Sequence, residues 1–89
     1  PLTIVASESA TTHERINQAC QEAYTGLRTA FAEKLRASGI LEERAEALAW
    51  TITATIEGAI ILSRTFHSGN PLRKAAVQLA CLIRQCQSD

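Results

Sequence analysis

The sequence predicts an all-α fold: an antiparallel bundle of three main helices that pairs with a second copy through a four-helix bundle. Three observations carry that prediction. Apolar residues recur with the 3.6-residue period in three long stretches, and no strand-like alternation occurs. Helix start and stop residues bound those stretches. The middle stretch, residues 41–66, is apolar on two opposite sides, and a lone three-helix chain readily covers only one of them.

Residues 1–10 read as irregular or as a short helical turn, with Leu2, Ile4 and Val5 available for packing. The first long helix follows. Thr11 and Glu14 fit a capping box, in which each side chain satisfies a free backbone donor. Ile16, Cys20, Ala23, Leu27, Ala30 and Phe31 form its expected buried face, with Tyr24 and Leu35 at one edge. Asn17, Gln18, Gln21, Arg28 and Arg36 fall outside that face. Gly39 supplies a left-handed stop.

The second helix begins near Leu41. Glu42 and Glu43 suit its positive end and Arg64 its negative end. One side carries Ala45, Leu48, Ala49, Ile52, Ile56, Ala59 and Ser63; the opposite side carries Ala47, Ala54, Gly58, Ile61 and Thr65. Glu46, Thr53, Glu57 and Arg64 make a polar stripe between them, with Trp50 at its edge. Ser68-Gly69-Asn70-Pro71 is a stop and turn signal. The third helix starts at or just after Pro71, with Asn70 as its expected cap. Its apolar arc (Leu72, Ala75, Ala76, Leu79, Ala80, Leu82, Ile83, Cys86) is wider than the ~100° a surface helix needs.

Composition narrows the function. The 89 residues suit one domain, 1–89. The chain starts at Pro1 and has no Met, which leads us to expect a fragment of a longer protein. Lys+Arg and Asp+Glu number nine each, so the basic excess of a free-standing nucleic-acid binder or membrane-surface protein is missing. Residues 47–63 hold one charge, Glu57, but three Thr and that central acid argue against a membrane span. The three Cys cannot all pair. Cys81 and Cys86 are separated by about 7.5 Å of helical rise, too far for a disulfide. A reduced, cytoplasmic setting fits them best.

Gly58 points to a partner. In mid-helix it costs about 1 kcal/mol relative to Ala. With Ala54 one turn earlier it makes a small-residue notch where another helix can cross closely, flanked by Ile61 and Leu62. The short turn at residues 68–70 makes the second and third helices antiparallel neighbours. Two such hairpins around a two-fold axis bury the surplus apolar surface. On this reading, replacing Gly58 with Leu disrupts dimerisation.

Chemical motifs are scarce. Glu57 has no opposite charge three or four residues away. It reads either as a solvated residue on the polar stripe or as an acid bonded across helices or facing a cavity. Trp50 beside it reads as packing, interface or cavity wall. His13 and His67 lack companions at metal-ligand spacing. No phosphate loop, nucleophile elbow or paired-acid motif appears, so no catalytic residue, metal or cofactor is expected.

The run Ala54-Thr55-Ile56-Glu57-Gly58-Ala59-Ile60-Ile61-Leu62-Ser63-Arg64, the short turn to Pro71-Leu72 and the Ala/Leu helix after it resemble the C-terminal domain of TetR-type transcriptional regulators. Pro1-Leu2 also resembles the start of that domain in one subgroup. The specific part of the resemblance spans residues 48–83.

The resemblance implies a homodimeric bacterial repressor whose N-terminal helix-turn-helix binds operator DNA. Its C-terminal domain binds a small, often apolar effector and dimerises. Residues 12–38 are then part of the pocket wall, with Tyr24, Phe31, Trp50, Thr53 and Glu57 as candidate effector contacts. Residues 41–66 and 71–87 are the dimerisation helices, with Ala54, Gly58, Ile61, Leu62 and Thr65 on one and Leu72, Ala76, Leu79 and Ile83 on the other. The helix-turn-helix is not in this sequence, so operator binding is not expected of the chain alone. The alternative is a helical homodimerisation module with no ligand.

Overall fold

A computed structural model describes residues 13–88. The expectations for Pro1-Leu2, for residues 1–10 and for Thr11 lie outside the described residues. Three helices follow one another: α1 (Glu14–Ala37), α2 (Glu42–Thr65) and α3 (Asn70–Ser88). The all-α fold is as the periodicity predicts. α2 lies in the middle, with α1 packed on one flank and α3 on the other; α1 and α3 make no comparable contact with each other. The Cα atoms extend 45 × 29 × 13 Å, a shallow layer rather than a closed bundle.

Both turns use the same device. α1 ends with Gly39 at φ 99, whose N–H bonds the Arg36 carbonyl at 2.9 Å, while Ile40 N–H reaches back to Leu35 at 3.2 Å. That pair of bonds is a Schellman stop, and both Leu35 and Ile40 are buried, as the motif favours. α2 ends in the same way through His67 N–H to Arg64 and Ser68 N–H to Ser63. Here His67, not a glycine, takes the left-handed conformation at φ 49.

The start of α3 differs from expectation. At α1 His13 occupies the capping position, and its side chain makes no capping bond. At α3 the Asn70 side chain does not cap. Its Oδ1 accepts from Arg73 Nη2 at 2.6 Å. The free N–H groups are satisfied instead by Ser68 Oγ, which accepts from Asn70 N–H at 3.1 Å, and by Ser63 Oγ on α2, which accepts from Leu72 N–H at 3.2 Å. Ser63 thus fastens the start of α3 to the last turns of α2.

The core joins Ala32, Leu35 and Ile40 to Ala45, Leu48, Ala49 and Ile52, with Phe31, Leu79, Leu82, Ile83 and Cys86 packed around it. The expected face of α1 is only partly used. Cys20 is buried and Phe31 half-buried, but Ile16, Ala23, Leu27 and Ala30 are exposed, and Ala32 and Leu35 are buried in their place. Among the described residues α2 is the extensive neighbour of α1, which turns its Tyr24–Arg28–Leu35 side toward it, while Ile16 and Leu27 are exposed. By length and composition α2 is apolar enough to cross a membrane. In the fold it is the central helix, with α1 and α3 packed along it.

Candidate functional site

Two concave regions flank α2. The first lies between the N-terminal half of α1 and the C-terminal half of α2. It encloses about 530 Å³ and is lined by Gln21, Tyr24 and Thr25 of α1 and by Trp50, Thr53, Ala54, Glu57, Gly58 and Ile61 of α2. Tyr24, Trp50, Thr53 and Glu57 therefore meet in one groove. The helical period explains the gathering: residues 50, 53/54, 57/58 and 61 recur one turn apart on α2, as do 21 and 24/25 on α1.

Inside the groove the Tyr24 hydroxyl donates to Glu57 Oε2 at 3.1 Å. Glu57 is thus bonded across helices, the partner coming from α1 rather than from its own helix. Thr53 is buried, and its hydroxyl donates to the Ala49 carbonyl one turn back at 2.8 Å. Such back-bonding lets a polar residue sit at a helix–helix contact without an unsatisfied group. Glu57 and Tyr24 are the ionisable residues of the lining; no Lys, Arg or His of the described residues belongs to it.

Trp50 stands at one end of the groove and is 58% exposed. Its ring is held from outside the lining: the Arg28 guanidinium carbon lies 4.4 Å from the ring centroid. Arg28 also donates from Nη1 to Glu46 Oε2 at 3.1 Å. One side chain of α1 therefore clamps two residues of α2, by ion pair and by cation–π stacking. Sequence reasoning placed Arg28 among the outward residues and missed this. The signal was available: Arg28 is one turn from Tyr24, and Glu46 is one turn from Trp50. The buried Arg28 Nε has no hydrogen-bond partner, which offsets part of the gain.

The second region is the cleft between α1 and α3, floored by Ile52 and Ile56 of α2. It encloses about 620 Å³. Phe31 lines this cleft and not the first groove, apart from the other four effector candidates. Leu72, Ala76, Leu79 and Ile83 line the α3 wall. The nine residues expected at a dimer interface are thus divided. Ala54, Gly58 and Ile61 share the Tyr24–Glu57 groove, four belong to the α1–α3 cleft, and Leu62 and Thr65 are exposed outside both linings. A Cβ placed on Gly58 would meet no atom of the described residues within 4 Å, so no contact among them requires glycine there. Among the described residues no group of three or more His, Cys, Asp and Glu is placed to hold a metal ion.

The family model described as "Transcriptional regulator LmrA/YxaF-like, C-terminal domain" matches residues 1–78. The chain belongs to this TetR C-terminal domain family. It is 38% identical over 72 residues to the HTH-type transcriptional regulator LmrA of Bacillus subtilis (strain 168), covering 81% of this chain and 38% of that protein. It is 35% identical over 85 residues to the uncharacterized HTH-type transcriptional regulator YxaF of the same strain, covering 96% of this chain and 44% of that protein. This TetR domain therefore spans about two fifths of the length of the relatives it matches. No solved structure matches at a significant level. The family and these relatives are transcriptional regulators, and the groove and cleft belong to a TetR-type domain.

Proposed function

We propose that this domain senses a small, largely apolar effector and holds two copies of a bacterial, cytoplasmic TetR-type repressor together. The observation that carries the reading is the convergence of Trp50, Thr53 and the Tyr24–Glu57 hydrogen bond in one groove of about 530 Å³. That volume suits a small organic ligand, and an apolar wall with a few polar groups is the usual make-up of such sites. Gly58 and Ala54 keep the wall low, and no atom of the described residues lies within 4 Å of a Cβ placed on Gly58. Operator DNA is contacted by a helix-turn-helix outside this domain, in keeping with the names of the relatives and the share of them it matches.

Dimerisation is supported by uncovered apolar side chains on the α2–α3 hairpin. Leu62 is 49% exposed, and Leu72 and Val77 are also exposed. Effector and operator would each favour one arrangement of the dimer, with a coupling of about 1–3 kcal/mol.

Two measurements test this. Nile red, a neutral apolar dye, should brighten on binding the full chain and fail to do so with Gly58→Leu, whose side chain projects from a groove-lining position where an added Cβ meets no described atom within 4 Å. Sedimentation should show a dimer that Leu62→Arg turns into a folded monomer. Dye binding that ignores Gly58→Leu removes the sensing role. A wild-type monomer at high concentration removes the assembly role. A dimer with no dye response leaves the ligand-free homodimerisation module, which the exposed hairpin surface by itself also supports.

A further inference from the structure

The cleft between α1 and α3 carries one charge on an otherwise hydrocarbon lining. Ile52 and Ile56 form its floor, Leu72 and Ile83 stand in its α3 wall, and Lys34 is the lining residue whose side chain holds a polar atom. From Leu72 to Ile83 that wall runs about 16 Å by helical rise. α1 and α3 each run antiparallel to α2, so they are parallel to one another. Lys34 lies in the last turn of α1 and therefore stands toward the Ile83 end of the trough. It is exposed, so its methylene stem follows the wall while its ammonium meets water at the mouth. Among the described residues no acid pairs with it. Residues three and four away are Ala30, Phe31, Ala37 and Ser38, and residues 70–88 of α3 contain neither Asp nor Glu. Glu33, next to it in sequence, sits about 100° round the helix.

We infer that this cleft is a second ligand site, which takes an unbranched aliphatic monocarboxylate with its chain along the trough and its carboxylate at Lys34. The inference does not depend on the Tyr24–Glu57 groove being the sensing site. Charge complementarity names the head: a carboxylate gains a charge-assisted hydrogen bond from the ammonium, whereas a cationic head meets like charge. The lining names the body. Its other side chains offer no hydrogen bond, so a polar group along the trough would lose water without replacement. A long trough with aliphatic walls suits a flexible chain rather than the flat fused rings of a dye such as Nile red. The bound chain supplies packing that the shallow three-helix layer lacks, so binding also stabilises the fold.

Octanoate, decanoate and decylammonium, titrated calorimetrically into the full chain near neutral pH and below micelle-forming concentrations, separate tail from head. Decanoate should bind about five- to tenfold more tightly than octanoate, because two more methylenes are buried. It should also bind about threefold or more tightly than decylammonium, a modest margin because the Lys34 head is exposed. Lys34→Gln, a change at an exposed side chain, should erase that margin and keep the chain-length effect. Ala76→Phe, at an exposed position of the cleft lining, should abolish decanoate binding, while Gly58→Leu in the other groove should leave it unchanged. Decanoate binding lost in Gly58→Leu and kept in Ala76→Phe overturns the site. A margin over decylammonium that survives Lys34→Gln overturns the role of Lys34. No binding by either carboxylate, with sedimentation showing a dimer that Ala76→Phe splits, overturns the inference by putting a second copy in the cleft. Each of these results leaves the Nile red test of the groove standing, so the two readings fail separately.

Discussion

The Tyr24–Glu57 groove and the α1–α3 cleft have similar volumes, about 530 and 620 Å³, and both use α2 as a wall. Their linings differ in kind. The groove holds a carboxylate, a phenol and an indole, and the phenol donates to the carboxylate. The cleft is aliphatic and aromatic apart from Lys34, and its floor residues Ile52 and Ile56 belong to or pack against the core. Size alone therefore does not separate a recognition site from incomplete packing. What separates them is whether the lining does a second job in the fold. Ile52 and its successor Thr53 point to different regions, and the contrast between them can be measured.

The largest effect is expected at Ile52, 4% exposed at the core. Ile52→Ala should lower the free energy of unfolding by about 2–4 kcal/mol, through lost burial and a residual cavity. Thr53→Ala should cost about 1 kcal/mol, because its hydroxyl bonds its own helix and only a small side chain leaves the interface. Urea unfolding of the two variants decides the point. Equal losses would mean that the groove is as much a part of the core as the cleft floor.

An intermediate effect is expected at the clamp beside the groove. Arg28 and Glu46 are 21% and 42% exposed, so solvent screens their pairing and limits its worth. The stack on Trp50 adds to it, while the unpartnered Nε subtracts. Arg28→Ala should cost about 1 kcal/mol, and a double-mutant cycle with Trp50→Ala should give a coupling of about 0.5–1 kcal/mol. Zero coupling would show that Trp50 is not held and that the groove wall is loose.

The smallest effect carries the opposite sign. Gly58→Ala should stabilise the chain by about 0.5–1 kcal/mol, because helix propensity improves and the added methyl meets no atom of the described residues within 4 Å. A destabilised variant in the assembled protein would place a second chain against Gly58, shifting the groove from ligand site to interface and restoring the notch expected from the sequence.

Much of the fold was legible in the sequence because helix periodicity and stop chemistry are local. Gly39 and the Ser68–Pro71 turn mark the helix ends to within a residue or two. Part of the groove was legible for the same reason: Trp50, Thr53 and Glu57 share a side of α2 by spacing alone. Tyr24 joined them through resemblance to the family, since spacing within α1 says nothing of which residue on α2 it will meet. Phe31 was grouped with them wrongly in space, because α1 presents it to the cleft. The Arg28 clamp was missed because its partners lie on another helix.

By itself, the sequence determined three helices, their order and their antiparallel connections, because those follow from nearest-neighbour backbone bonding and a 3.6-residue repeat. Only the tertiary structure decided how α1 is rotated on α2. That rotation is a competition among side chains far apart in the chain, in which Leu35 entering the core, Arg28 gripping Glu46 and Trp50, and Tyr24 reaching Glu57 prevail over burial of Ile16 and Leu27. The Tyr24–Glu57 groove exists because of that outcome, which no pattern within a single helix encodes.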